Sequence, residues 1–279
     1  MDTKKILQWG LVVVVLAALV GGILWWQMRT PSSESVARVP KRPEEALLAQ
    51  LAELSRQDGD LPDMLVQAEG VFTKLVTDFP ESPEVENARA IMEDLHVRLL
   101  FSSVPTEDSE QYEVNAGDTL SAIARRYHTT VELLMKANGL QDDRIRVGQI
   151  LKVNKAVFNV LVDKSDNRLW LRKNEDIVKT YTVSTGANGI TPIGKFVITD
   201  KLINPVWYKA GAVVPPDSPD NILGTRWMGI SVPGYGIHGT TEPEALGEAV
   251  TNGCVRMSNA SVEELYVIVP AGSEVSIVD

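Results

Sequence analysis

The stretch YGIHGTTEPEALGEAVTNGCVRM, residues 235–257, decides how the chain is read. It holds the only cysteine, Cys254, and one of three histidines, His238, which lies 16 residues earlier. A thiol attacks as the thiolate, and a neighbouring imidazole is the common means of making one at neutral pH. Cys254 is therefore the candidate nucleophile and His238 its base. Gly253 permits a tight turn before the cysteine, so that amides at 253 and 254 are candidate donors to an oxyanion. A lone cysteine is more often an inert apolar residue and a lone histidine a structural one. The pair by itself leaves both readings open.

The letters around the pair go further. His238-Gly239 is followed by Thr251-Asn252-Gly253-Cys254-Val255-Arg256-Met257, and upstream stand TGANGITPIGKF (185–196), NPVWY (204–208) and PPDSPDNILGTRWMGIS (215–231). On these segments the region 157–278 resembles the catalytic domain of the L,D-transpeptidases, the YkuD-like family. One departure is plain: Asn252 stands where the family often has a second histidine. The resemblance implies Cys254 as nucleophile, His238 as base, the Gly239 carbonyl as the group that orients the imidazole, and amides near Gly253 for the oxyanion. It also implies attack on a peptidoglycan stem peptide, release of a terminal D-alanine, and transfer of the thioester to an amine. Arg256 and Asn252 are expected at the substrate; for Arg256, a bound carboxylate and a stabilised catalytic loop are equally open. Trp227 and Tyr235 are candidate cleft walls, although large aromatics in β domains are more often core.

Working toward the N-terminus, residues 112–153, YEVNAGDTLSAIARRYHTTVELLMKANGLQDDRIRVGQILKV, resemble a LysM module. The residues agree: a short strand, Asp118 as N-cap of a helix carrying Leu120, Ile123, Ala124 and Tyr127, then Thr130 capping a second helix. Asn138-Gly139 ends that helix and a closing strand follows Gly148-Gln149. The pattern is β-α-α-β. By resemblance it binds N-acetylglucosamine-containing glycans, with Gly117, Asp118, Thr119, Leu120, Asn138, Gly139 and Leu140 as the contact residues.

Residues 44–110 carry 16 acids against 4 bases, a charge of −12, while the remaining chain sums to +2 against the total of −10. Nothing resembles a nucleic-acid footprint. Within 44–101, apolar spacing predicts helices near 44–54, 64–79 and 85–100, faintly like a tetratricopeptide hairpin. A spacer with a solvated acidic face is the first reading and a partner-docking hairpin the second. Residues 30–43 read as a mobile tether and 102–110 as a polar connector. The apolar run at 6–26 is about 31 Å long as a helix, enough for a hydrocarbon core of about 30 Å. Lys4 and Lys5 precede it and Trp25-Trp26 close it, which reads as an uncleaved anchor.

The expected fold is thus multidomain: an anchor (1–29), a linker (30–43), an acidic helical hairpin (44–101), a LysM module (111–154) and a mostly-β sandwich or barrel with one packed helix (156–279). In that last part a helix is expected at 262–269, begun by a Ser261/Glu264 capping box. The expected function is stem-peptide crosslinking in a bacterial envelope, outside the cytoplasm, with peptidoglycan and the membrane as partners. A stem-peptide hydrolase or carboxypeptidase, and a non-catalytic wall-binding protein, are the alternatives. His96 and His128 lack metal-ligand spacing, and neither cofactor nor metal is expected.

Overall fold

A computed structural model describes residues 42–57, 59–209, 211–216 and 218–279. The expected anchor at 1–29 and the tether up to residue 41 lie outside these. Among the described residues, no helix is long and apolar enough to cross a membrane.

Three helices come first: α1 (Pro43–Arg56), α2 (Leu61–Asp78) and α3 (Glu84–Leu100). Leu51, Leu65, Ala68, Leu75, Met92 and Leu95 form their shared core. The two prolines of the 78–83 segment break the second helix from the third, because proline starts helices and cannot continue them.

One carboxylate on the acidic face of α3 is taken out of solvent. Glu93, only 7% exposed, accepts hydrogen bonds from Thr180 N at 3.0 Å and Thr180 Oγ1 at 2.9 Å. Asp94 pairs with Lys179 at 2.6 Å and Glu86 with Arg168 at 3.0 Å. Thr180 belongs to β5 (Asp176–Thr182), the outer strand of the main sheet. An uncovered edge strand exposes unpaired backbone groups that invite aggregation. Glu93 occupies that edge, while the side chains of Glu86 and Asp94 stay 60% and 63% exposed, so the solvated face expected of the spacer is corrected at Glu93 alone.

The next module pairs β1 (Ser109–Glu113) with β2 (Ile150–Asn154), antiparallel, around α4 (Leu120–Arg126) and α5 (Val131–Ala137). Its N-cap is Thr119, not Asp118: Thr119 Oγ1 accepts from Ala122 N at 3.2 Å. Asp118 Oδ2 accepts instead from Asn115 N and Tyr112 Oη, both at 2.7 Å, closing the preceding turn. Thr130 caps α5 as expected, accepting from Leu133 N at 2.8 Å.

The polar connector at 102–110 is tied down at both ends. Lys152 Nζ donates to Leu99 O at 3.0 Å and Ser102 O at 2.8 Å, and Asp108 pairs with Lys173 at 2.7 Å. Val97, Leu100 and Leu133 enter the core of the following domain. The Thr130 hydroxyl also donates to the Val267 carbonyl of that domain.

That domain contains β3 (Phe158–Asp163), β4 (Arg168–Lys173), β5, β6 (Thr185–Gly186), β7 (Gly194–Ile203), β8 (Trp207–Lys209), β9 (Ala212–Val214), β10 (Arg226–Ile230), β11 (Gly236–His238), β12 (Ala249–Thr251), β13 (Val255–Arg256), α6 (Asn259–Ile268) and β14 (Glu274–Val278). Eight strands run in the order β13-β11-β10-β7-β14-β3-β4-β5. The ten-residue β7 joins two halves: its start pairs with β14 and its end with β10. Val160, Leu169 and Leu171 from one half and Met228, Ile237 and Val255 from the other share a core with Val262 and Leu265 of α6. The helix starts earlier than expected, capped by Ser258, whose Oγ accepts from Ser261 N at 3.0 Å. Glu264 does not form the capping box; it accepts from Tyr181 Oη at 2.8 Å and pairs with Lys179 at 2.8 Å.

Candidate active site

His238 is the last residue of β11 and Cys254 immediately precedes β13, which runs parallel to β11 with Ile237 opposite Val255 and His238 opposite Arg256. Strand pairing therefore brings together two residues separated by a long loop. Both line one cavity of about 400 Å³, with Trp227, Asn252, Arg256 and Tyr208 among its other walls.

His238 is 3% exposed. Its Nδ1 lies 2.6 Å from the Gly239 carbonyl. A carbonyl only accepts, so Nδ1 carries the proton and Nε2 the lone pair. Burial, reinforced by the Arg256 guanidinium and opposed by the Gly239 bond, pushes the imidazole down to about 4. Burial pushes the Cys254 thiol up, opposed by the Gly236 backbone. The half-buried thiol also lies 3.7 Å from the Gly234 carbonyl. Burial thus favours the neutral form of both groups.

The turn before the cysteine requires glycine. Gly253 has φ +111°, and a Cβ there lies 2.5 Å from Tyr235 Cε1. Tyr235 accordingly packs under the turn and against the core, and it is not among the cavity walls. This corrects its expected role as a cleft wall. The expected oxyanion donors are corrected as well. Gly253 N donates to Thr251 Oγ1 at 3.2 Å, and that hydroxyl donates to Cys254 O at 2.7 Å. The Gly253 amide is thus spent inside the turn. The Cys254 N–H has no acceptor among the described residues.

Trp227 lies opposite His238 on β10. The two rings are nearly parallel, at 19°, with centroids 6.0 Å apart. Arg256 is 7% exposed and exchanges two 2.8 Å backbone bonds with Ser184. Its Nη1 reaches Glu242 Oε2 at 3.3 Å, while its Nε is buried with no acceptor among the described residues. Asn252 is exposed at the cavity.

Sequence reasoning missed Asn259. Its Oδ1 accepts from Thr225 N at 3.2 Å and Thr240 N at 3.1 Å, tying together the segments that flank Trp227 and His238. A Cβ on Gly224 or Gly239 lies 2.2 Å from that oxygen, so the glycines make its seat. An asparagine at a helix start carries no sequence signal of such a contact.

In the smaller module, Gly117, Thr119 and Gly139 are exposed and Asp118 and Leu140 partly so. Leu120 is 2% exposed and belongs to the module's core. Asn138 spends its amide on Leu134 O (2.8 Å), Lys152 O (2.9 Å) and Lys152 N (2.7 Å). These two residues hold the module together rather than face a ligand.

Comparison with known proteins places two regions of the chain in families. Residues 158–277 match the model of the L,D-transpeptidase catalytic domain and residues 112–154 that of the LysM domain. "Putative L,D-transpeptidase YkuD" of Bacillus licheniformis is 34% identical over 174 residues, covering 60% of this chain and 97% of that protein. Its namesake in Bacillus subtilis is 32% identical over 173 residues, with 60% and 97% covered. "Putative L,D-transpeptidase YqjB" of Bacillus subtilis is 40% identical over 126 residues, with 43% and 70% covered. With a catalytic-domain match over residues 158–277, which include Cys254 and His238, and relatives matched along nearly their whole length, the chain belongs to the YkuD-type L,D-transpeptidase family.

Proposed function

We propose that the chain crosslinks peptidoglycan by L,D-transpeptidation through a thioester on Cys254. The observation that carries this reading is the His238 Nδ1 contact with the Gly239 carbonyl at 2.6 Å, in the cavity that also holds the only cysteine. It leaves Nε2 as the free base and takes the part that a carboxylate plays in a triad.

The donor stem lies in the cavity with the carbonyl of its third residue at the sulfur. Nε2 takes the thiol proton as Sγ attacks, and the developing oxyanion receives the Cys254 N–H. Collapse breaks the peptide bond; the imidazolium returns its proton to the leaving D-alanine amine, and the acyl group stays on sulfur. An amine of a second stem then attacks the thioester, His238 takes the amine proton, and the thiolate leaves with a new amide bond formed. Arg256 is suited to a stem carboxylate, because its buried guanidinium borders the cavity and has one acidic partner among the described residues, Glu242. Asn252, at the mouth, contributes an amide where a second histidine is absent. The LysM module holds the glycan through the surface loops at 117–119 and 139–142. The run at 6–26 anchors the chain in the cytoplasmic membrane with the domains outside the cytoplasm.

The test incubates tetrapeptide muropeptides with the detergent-solubilised full chain and with Cys254→Ala, followed by mass spectrometry. Cysteine-dependent dimers that have lost one D-alanine are expected, with glycan binding unchanged in the variant. Tripeptide monomers alone identify a carboxypeptidase, and full crosslinking by Cys254→Ala refutes the assignment.

A further inference from the structure

The Nδ1 contact fixes one edge of the His238 imidazole; what fixes its face is Trp227, and what fixes Trp227 is a residue that the reaction does not otherwise use. The indole Nε1 donates to Asp200 Oδ2 at 2.9 Å. The other carboxylate oxygen, Oδ1, accepts from Thr199 Oγ1 at 2.8 Å. An indole N–H has one donor and no acceptor, so a carboxylate gives it a charge-assisted bond stronger than a neutral partner provides.

Three features of the backbone serve this contact. On β7 and β10, Lys201 faces Met228 and Ile198 faces Ile230, so Thr199 and Asp200 together face the single residue Gly229. That is a β-bulge, a device that bends a strand and re-aims a side chain. Second, a Cβ on Gly229 lies 2.2 Å from Asp200 Oδ1, so only glycine lets the carboxylate lie across the strand. Third, a Cβ on Gly236 lies 2.7 Å from Trp227 Cζ2, so only glycine lets the indole lie beside β11. A bulge and two glycine seats place the carboxylate on the indole and the indole beside the imidazole.

We propose that Asp200 is a positioning residue of this site, holding the Trp227 indole alongside the His238 imidazole and so keeping the base in its attacking orientation. The proposal rests on His238 being the base. Asp200 touches neither thiol nor imidazole; it acts through Trp227 alone. Its removal therefore has nothing to act on once the indole N–H is gone.

The experiment is a double-mutant cycle on the detergent-solubilised full chain, with p-nitrophenyl acetate as an uncharged acyl donor. Acetylation of the lone thiol releases nitrophenol, forms a thioester on Cys254 and is followed by colour and by intact mass. Asp200→Ala and Trp227→Phe are each expected to slow the maximal acetylation rate about tenfold, the scale of a slightly misplaced catalytic group. Half-saturation and melting midpoint stay nearly unchanged. The double variant is expected to be no slower than Trp227→Phe. Asp200→Asn keeps the acceptor without the charge and is expected to be about threefold slow, with no effect when combined with Trp227→Phe. It replaces Asp200→Ala if that variant does not fold.

Effects that multiply in the double variant, or a rate unchanged by Asp200→Ala, overturn the proposal while leaving His238 as the base. A wild-type chain that is not acetylated at Cys254 overturns the base assignment and the proposal with it.

Discussion

Thr251→Val tests whether the turn before Cys254 is held by one hydroxyl. Valine keeps the shape and deletes two hydrogen bonds, from Gly253 N at 3.2 Å and to Cys254 O at 2.7 Å. Thr251 is 5% exposed, so water does not replace them. At about 1 kcal/mol each, the turn loses about 2 kcal/mol. If the Cys254 N–H is aimed at the oxyanion by this turn, that energy is felt in the transition state, where about 2 kcal/mol is about 30-fold in rate. Single-turnover acylation of Cys254 is the assay, with thermal melting beside it. A chain of this size loses about 2–4 °C per kcal/mol, so the midpoint is expected to fall by about 4–8 °C. Thr251→Ser restores the hydroxyl and is expected to recover most of the rate. Acylation at the wild-type rate by Thr251→Val, or no recovery with serine, refutes the reasoning.

Two further outcomes are expected. Asn252 is exposed at the cavity mouth, so Asn252→His changes the crosslinking rate by less than about tenfold, one pKa unit's worth of energy; a gain of several orders of magnitude would show that the natural chain is catalytically impaired. The histidine itself gives the pH dependence. Burial and the Arg256 charge push the imidazole of folded His238 down to about 4, against about 6.5 unfolded. Between these values the unfolded chain binds more protons, so stability falls as pH falls from about 6.5 toward 4, by on the order of 3 kcal/mol. His238→Gln is expected to flatten the melting midpoint across that window, and an unchanged slope contradicts the assignment.

Asp200 and Glu93 show why some of this was hidden from the sequence. Both are acidic, and an acidic letter by itself reads as solvated surface. Their roles come from β7 bulging toward β10 and from α3 lying along the edge of β5. These are contacts between segments 27 and 87 residues apart, and spacing along the chain does not encode them. Asp118 and Ser261 differ from expectation by a smaller cause. Several adjacent Asp, Ser and Thr residues compete to cap one helix, and the backbone angles choose among them.

What the sequence determined alone was the set of local patterns: the strand alternation from 158 onward, the three helices within 44–101, the β-α-α-β module, and a His-Gly and Gly-Cys-x-Arg pair in one stretch. Each is written in residues a few positions apart, where periodicity, turn chemistry and motif spacing act. Only the tertiary structure decided that the helices and the module, each with a core of its own, lend Val97, Leu100 and Leu133 to the core of the catalytic sheet. It also decided that Tyr235 packs under the glycine turn instead of walling the cavity, and that the Gly253 amide is spent on Thr251. Direction is the reason. Composition and spacing say which groups are available, but where an amide, an indole or a carboxylate points is fixed by the packing of distant strands against one another.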